Sequence, residues 1–84
     1  MRGMIEFIAH NLVDEPESVV IRTLREDHYA SVLRLHVAEG DLGKVIGRQG
    51  RVAQAMRTLM RAAGSLQGKQ QIGLEIGEQH PPTF

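Results

Sequence analysis

The chain has no cysteine and no tryptophan, and its only aromatic side chains are Phe7, Tyr29 and Phe84. Without thiols there is neither a disulfide staple nor a thiolate metal site, which suits a reducing compartment. So few aromatics exclude a base-stacking sheet of the RRM kind. No stretch approaches the roughly 20 apolar residues of a membrane-spanning helix. Glu6 and His10 break the apolar character of the N-terminus, so it does not read as a secretory signal. The expected location is the cytoplasm. An excess of one charge is also missing: ten basic and ten acidic residues cancel. A binder of polyanions that relies on charge alone is basic overall, so the total weighs against that class.

What is present is enough for one small domain. Of the 84 residues, 42% are hydrophobic, too many for a disordered chain. A chain of this size buries only about 60% of its unfolded surface, which sets a modest stability. The charge, although balanced, is unevenly placed. No Asp or Glu occurs between Leu42 and Leu74, where Lys44, Arg48, Arg51, Arg57, Arg61 and Lys69 all lie. This segment can attract a polyanion while the whole stays neutral, or it can be a solvated helix face.

Met4, Ile5, Ile8, Ala9 and Leu12 recur at helical spacing and predict an amphipathic helix over the first 13 residues or so, stopped at Asp14-Glu15-Pro16. The β-branched run Val19 to Leu24 predicts a strand. After a turn at Glu26-Asp27-His28, Ser31 to Val37 alternates, with Leu33, Leu35 and Val37 on one face and Arg34 and His36 on the other; the pair reads as a hairpin. Asp41 is expected to cap a short helix from Leu42 to Ile46. A longer helix is expected from about Arg51 to Ala63, with Val52, Met56, Leu59, Met60 and Ala63 as its apolar stripe and Gly64 ending it. Gln70 to Ile76 reads as the last strand, with Ile72, Leu74 and Ile76 on one face. Gly77 to Phe84, with Pro81-Pro82, reads as a tail. The order α-β-β-α-α-β predicts an α+β domain over residues 1–77. Its three-stranded mixed sheet has an antiparallel hairpin and a last strand added in parallel by a right-handed crossover, with helices packed on one face.

The most informative stretch is Val45-Ile46-Gly47-Arg48-Gln49-Gly50-Arg51-Val52. One glycine ends a helix; two, with two residues between them, also let another backbone approach closely. The first-turn amides of the following helix lack internal partners and carry partial positive charge, so a phosphate fits there. Arg48 and Arg51 add charge, and either Val45 or Ile46 is expected to offer apolar surface to a base.

Ile46-Gly47-Arg48-Gln49-Gly50 resembles the I-G-x-x-G signature of KH domains, whose loop clamps about four backbone nucleotides. The element order resembles the type II arrangement. The chain to about Gly77 is similar to the small stand-alone bacterial KH proteins of the KhpA family, through Leu12-Val13-Asp14, the run Asp41 to Arg51, and Ala55-Met56-Arg57-Thr58. Ala53 departs from the larger aliphatic that many KH domains carry there. The resemblance implies single-stranded RNA bound with little sequence preference through Gly47, Arg48, Gln49, Gly50, Lys44, Arg51, Val45, Ile46 and Arg57. It also implies a role for the second strand beside the groove, with Arg34 or His36 contributing. Further implications are an RNA-chaperone role, a homodimer or a complex with a larger KH protein of the KhpB kind, and a link to cell-wall and cell-shape control. No cofactor, metal, membrane or small-molecule substrate is implied.

Rival readings are weaker. Gly40-Asp41-Leu42-Gly43-Lys44-Val45 echoes a P-loop without its spacing or its hydroxyl. No nucleophile–base set or carboxylate pair stands out, so an enzyme is not expected. His10, His28, His36 and His80 are scattered without metal-ligand spacing. Met56 and Met60 read as core filler, or as a dimer seam. A KH fold that binds protein and not RNA stays open, as does RNA against single-stranded DNA.

Overall fold

The computed structural model describes residues 1–78. The elements are α1 (Arg2–Leu12), β1 (Val20–Glu26), β2 (Ala30–Val37), α2 (Leu42–Ile46), α3 (Arg51–Leu66) and β3 (Gln71–Glu78). Single 3-10 turns occupy Pro16–Ser18, Glu39–Asp41 and Arg48–Gly50. The sheet runs β1-β2-β3, with β1 antiparallel and β3 parallel to the central β2. The expected order and strand directions are those observed.

Alternation along β2 builds the core. Ser31, Leu33, Leu35 and Val37 are all buried on one face, and Ile21 and Leu74 extend that face onto the flanking strands. Against it pack Ile5 and Ala9 of α1, Val45 of α2, and Met56 and Met60 of α3. The two methionines are thus core. The alternate side chains Val32, Arg34 and His36 lie on the opposite face of the sheet, where Arg34 is bonded to Glu75 at 2.7 Å. In β1 the register shifts between Thr23 and Arg25, so Leu24 is an extra residue; this bulge accounts for a leucine that is half exposed inside a strand.

The hairpin turn is held by Asp27, whose carboxylate accepts the N–H groups of Tyr29 (2.8 Å) and Ala30 (2.7 Å) and the Nε–H of Arg25 (2.8 Å). These bonds favour the ionised form, that from Arg25 most, and lower its pKa to about 2.

Three local expectations need correcting. Gly64 does not end α3; it is buried inside it, where a Cβ would come within 2.3 Å of Ile72 Cδ1. The stop is Gly68 (φ +77): Lys69 N–H donates to Gly64 O (2.8 Å) and Gly68 N–H to Ser65 O (3.1 Å), the paired bonds of a Schellman motif. The buried stripe of α3 is accordingly Ala53, Met56, Met60 and Gly64. Val52 is partly buried, and Leu59, expected inside, is 45% exposed. Thirdly, β3 takes in Gly77 and Glu78, the first residues of the segment expected to be a tail, because both pair with β2; the remainder, 79–84, lies outside the described residues.

Candidate nucleic-acid interface

The turn between α2 and α3 owes its shape to left-handed backbone. Gly47 (φ 79, ψ 171), Gln49 (φ 57, ψ 26) and Gly50 (φ 74, ψ 14) all have positive φ. The two glycines are needed for different reasons. At Gly47 a Cβ would lie 2.4 Å from Val52 Cγ2 and 2.8 Å from Val52 N, so the loop folds back onto α3 with no room for a side chain. Around Gly50 nothing lies within 4 Å, and only its conformation calls for glycine. Gln49 is a non-glycine residue in the same region, a strain of the kind that collects at ligand clamps.

The loop's donors differ from those expected. Gly50 N–H bonds to Gly47 O (3.1 Å), and Arg51 N–H bonds to Arg48 O, so the amide just before α3 and the first amide within it are already paired. Among the described residues, the amides of Arg48 and Gln49 have no backbone acceptor. The available donors therefore sit at the loop tip. Arg48, Gln49 and Arg51 are exposed there, and Arg51 Nη2 donates to Gln49 Oε1 at 3.1 Å, linking the two side chains. Ile46 is partly exposed beside them. Val45 is completely buried in the core and has no surface to offer a ligand, which corrects its expected place in the site.

Lys44 is in α2, three residues before Gly47, but its ammonium is already engaged. It donates to Asp14 and, at 3.3 Å, to Asp41 Oδ1. Asp41 also departs from expectation. Its carboxylate makes no cap bond to α2; it accepts instead the N–H groups of Asp14 and Glu15, each at 3.0 Å, and is 2% exposed. The aspartate thus fastens the α1–β1 connection to the start of α2 and so fixes where the loop stands. The Asp14 N–H bond holds its pKa below the usual carboxylate range against the opposing effect of burial, with Glu15 N–H and Lys44 assisting. The pKa of Lys44 is raised, first by its bond to Asp14 and then by Asp41. Its i,i+3 spacing from Asp41 is visible in the sequence; Asp14 is 30 residues away, and no local pattern points to it.

Beside the helix pair lies the edge strand β3, which contacts both α2 and α3. The central strand β2 reaches the same place through Val32, and Arg34 reaches it through its bond to Glu75, whereas His36 is not among the lining residues. Between α3 and β3 opens a cleft of about 310 Å³, lined by Arg57 and Arg61 from the helix, by Gln71 to Glu75 from β3 and by Val32 from β2. Arg57 is half buried there and donates from Nε to Leu74 O (3.2 Å) on the strand's free edge. Glu75, the acid of the cleft, is neutralised by Arg34. The site thus combines a loop with free amides and guanidinium groups and a basic cleft walled by the edge strand of the sheet among the described residues. Among the described residues no cluster of three or more His, Asp or Glu is placed to hold a metal ion, and no helix is long and apolar enough to cross a membrane.

Comparison with known proteins places the chain in a family. The family described as "KhpA/KhpB, KH domain" matches residues 2–76. Similar proteins include the RNA-binding protein KhpA of Caldanaerobacter subterraneus subsp. tengcongensis, 43% identical over 76 residues, which are 90% of this chain and 99% of the relative. The RNA-binding protein KhpA of Listeria monocytogenes serovar 1/2a is 47% identical over 78 residues, 93% of this chain and 100% of the relative. That of Chlamydia pneumoniae is 38% identical over 79 residues, 94% and 99% respectively. No solved structure matches the chain. With its α-β-β-α-α-β order, its Gly47-Arg48-Gln49-Gly50 loop and the match over residues 2–76, the chain belongs to the KhpA/KhpB family of KH domains.

Proposed function

We propose that the protein binds single-stranded RNA, clamping the sugar–phosphate backbone at residues 47–50. The observation that carries this reading is the left-handed loop itself. It leaves the amides of Arg48 and Gln49 free of backbone acceptors, beside exposed guanidinium groups and next to the α3–β3 cleft. Phosphate oxygens take the free amides of Arg48 and Gln49 within the Gly47-Arg48-Gln49-Gly50 loop and the charges of Arg48 and Arg51. Ile46 gives a base apolar surface, and Arg57 faces the strand in the cleft. Because the contacts are to backbone, sequence preference is low. Names of the relatives support RNA as the ligand. The function carries no chemistry of its own, and the protein works in the cytoplasm as an RNA chaperone and post-transcriptional regulator with a bearing on cell wall and cell shape.

Three or four phosphate contacts on a single strand give a salt slope, log K against log salt concentration, of about −2 to −3. One such module binds weakly, so a homodimer or a larger KhpB-like partner raises the effective concentration. Replacing Arg48 and Gln49 together by Asp tests the clamp. Asp tolerates the left-handed conformation, so the loop keeps its shape while its charge is reversed. Fluorescence anisotropy with a labelled oligoribonucleotide should show binding lost in a domain that unfolds at an unchanged temperature. Affinity retained after that change overturns the loop assignment. A second reading, a KH module that binds protein and not RNA, is favoured by the apolar stripe on the outer side of α3, where Leu59 is 45% and Leu66 92% exposed. A salt slope near zero supports that alternative.

A further inference from the structure

Lys44 belongs to the acid-free basic segment and precedes the loop by less than one helical turn, yet two carboxylates hold its ammonium. The two are unlike. Asp41 is buried, with both oxygens also fixed by backbone N–H groups, and is part of the fold. The Asp14 side chain is 78% exposed, and among the described residues its carboxylate is bonded to Lys44 alone. It is an anion in water, replaceable by another anion. Its backbone N–H, which ties α1–β1 to Asp41, does not depend on the side chain.

We propose that Asp14 is an internal counter-anion that occupies Lys44 in the free protein and is displaced from it by a backbone phosphate of the bound single strand, so that Asp14 sets the affinity through Lys44. The inference rests on the loop reading above. An ammonium has three N–H donors. One stays on Asp41, which keeps the side chain pointing to the same place; the bond given to Asp14 is the one a phosphate oxygen takes over. Asp14 then opposes binding in two ways. It must be parted from Lys44, and once parted it stands beside a second negative charge. A lysine already paired with a carboxylate adds little to the release of counterions that drives nucleic-acid binding. Freed of Asp14, it adds one full contact. Asp14 is a positioning residue in this scheme and touches no ligand.

The test measures binding of a labelled single-stranded oligoribonucleotide to the full chain at several salt concentrations. The variants are D14N, D14A, K44Q, D14N/K44Q and E17Q. Glu17 lies in the neighbouring Pro16–Ser18 turn, is exposed, and makes no ion pair among the described residues, so E17Q alters net charge as D14N does without touching Lys44. D14N and D14A should tighten binding about two- to fivefold, the range of an exposed ion pair. They should also steepen the salt slope by about 0.7, the value for one more phosphate contact on a single strand. E17Q should do neither, and in the K44Q background D14N should have no more effect than E17Q. A D14N indistinguishable from E17Q, or a tightening that persists without Lys44, overturns the counter-anion while leaving the loop reading intact, provided the Arg48/Gln49 double Asp variant still abolishes binding. Wild-type protein that fails to bind RNA overturns both.

Discussion

Gly47→Ala and Gly50→Ala alter two glycines that look equivalent in the motif, and the structure says they are not. Gly50 is in the left-handed helical region with open space around it, so an added methyl group meets only the local conformational penalty, about 1–2 kcal/mol. Gly47, at φ 79 and ψ 171, is in a region that is essentially glycine-only, at about 1–3 kcal/mol for another residue. Its Cβ would also stand 2.8 Å from Val52 N, part of the α3 backbone, so the neighbour cannot swing aside. That overlap adds about 1–3 kcal/mol, giving a total of about 2–6 kcal/mol. Both substitutions gain about 0.4–1 kcal/mol from a stiffer unfolded chain, which cancels in the comparison. An 84-residue domain has only about 4–12 kcal/mol to lose. Urea unfolding followed by circular dichroism should therefore show Gly50→Ala with a modestly lower midpoint, and Gly47→Ala with a midpoint reduced to about half that of wild type. In thermal melts each kcal/mol amounts to about 4–8 °C. Equal midpoints for the two variants, or a Gly47→Ala milder than Gly50→Ala, would refute the argument that the first glycine is needed for space and the second only for its torsion angles.

Acid should loosen the two ends of the sheet scaffold. Asp27 and Asp41 both have folded-state pKa values below their ordinary ones, Asp27 near 2. The stability each gives is present above about pH 4 and is lost as the pH falls through the folded value. Melting temperature against pH should fall below pH 4, less steeply in D27N, which has no carboxylate to protonate; a D27N curve parallel to wild type would contradict the assignment. Lys44 has the opposite sign: its pKa is raised, so its contribution is complete below about 10.5 and is lost only above that. On α3, Leu59→Lys with Leu66→Lys should leave the melting temperature within about 4–8 °C, as expected of two exposed positions that each change stability by about 0.5 kcal/mol at most. Sedimentation of the same pair tests whether this apolar stripe carries self-association: a lower sedimentation coefficient than wild type assigns the proposed homodimer to this face, and an unaltered one removes the face from it.

What was legible in the sequence followed from local pattern. The period-two run of Leu33, Leu35 and Val37 fixed the inner face of the sheet, and the turn residues fixed its hairpin. The loop was legible because left-handed backbone needs glycine, and glycine is visible as a letter. What was illegible depended on a partner far along the chain. Gly64 looks like a helix stop because that is its commonest local use; its actual cause is Ile72, arriving from β3. Asp41 stands where a capping residue belongs, but the amides of Asp14 and Glu15 take its carboxylate, and no rule of spacing brings them there. Val45 and Ile46 were indistinguishable as letters, and only the packing of α2 against the sheet decides which of them is inside.

The same distinction governs how the basic segment should be understood. Counting charges by position gave six cations between Leu42 and Leu74 and no acid among them. In the folded chain two of those cations, Lys44 and Lys69, are paired with acids from the first half of the sequence, Asp14 and Asp41 for one and Glu26 for the other. The arginines are treated differently: Arg48, Arg51, Arg57 and Arg61 meet no carboxylate among the described residues, and all four lie on the loop, on α3 or in the α3–β3 cleft. Within this segment the lysines are thus the cations paired with acids, and the arginines are the ones left without a carboxylate among the described residues. The division suits the chemistry, since a planar guanidinium can meet two phosphate oxygens at once and an ammonium offers a single charge. A neutral chain can on this account carry a cationic patch: Asp14, Asp41 and Glu26 take up the two lysines of the segment, and its four arginines are left without a carboxylate among the described residues on the loop, on α3 and in the cleft.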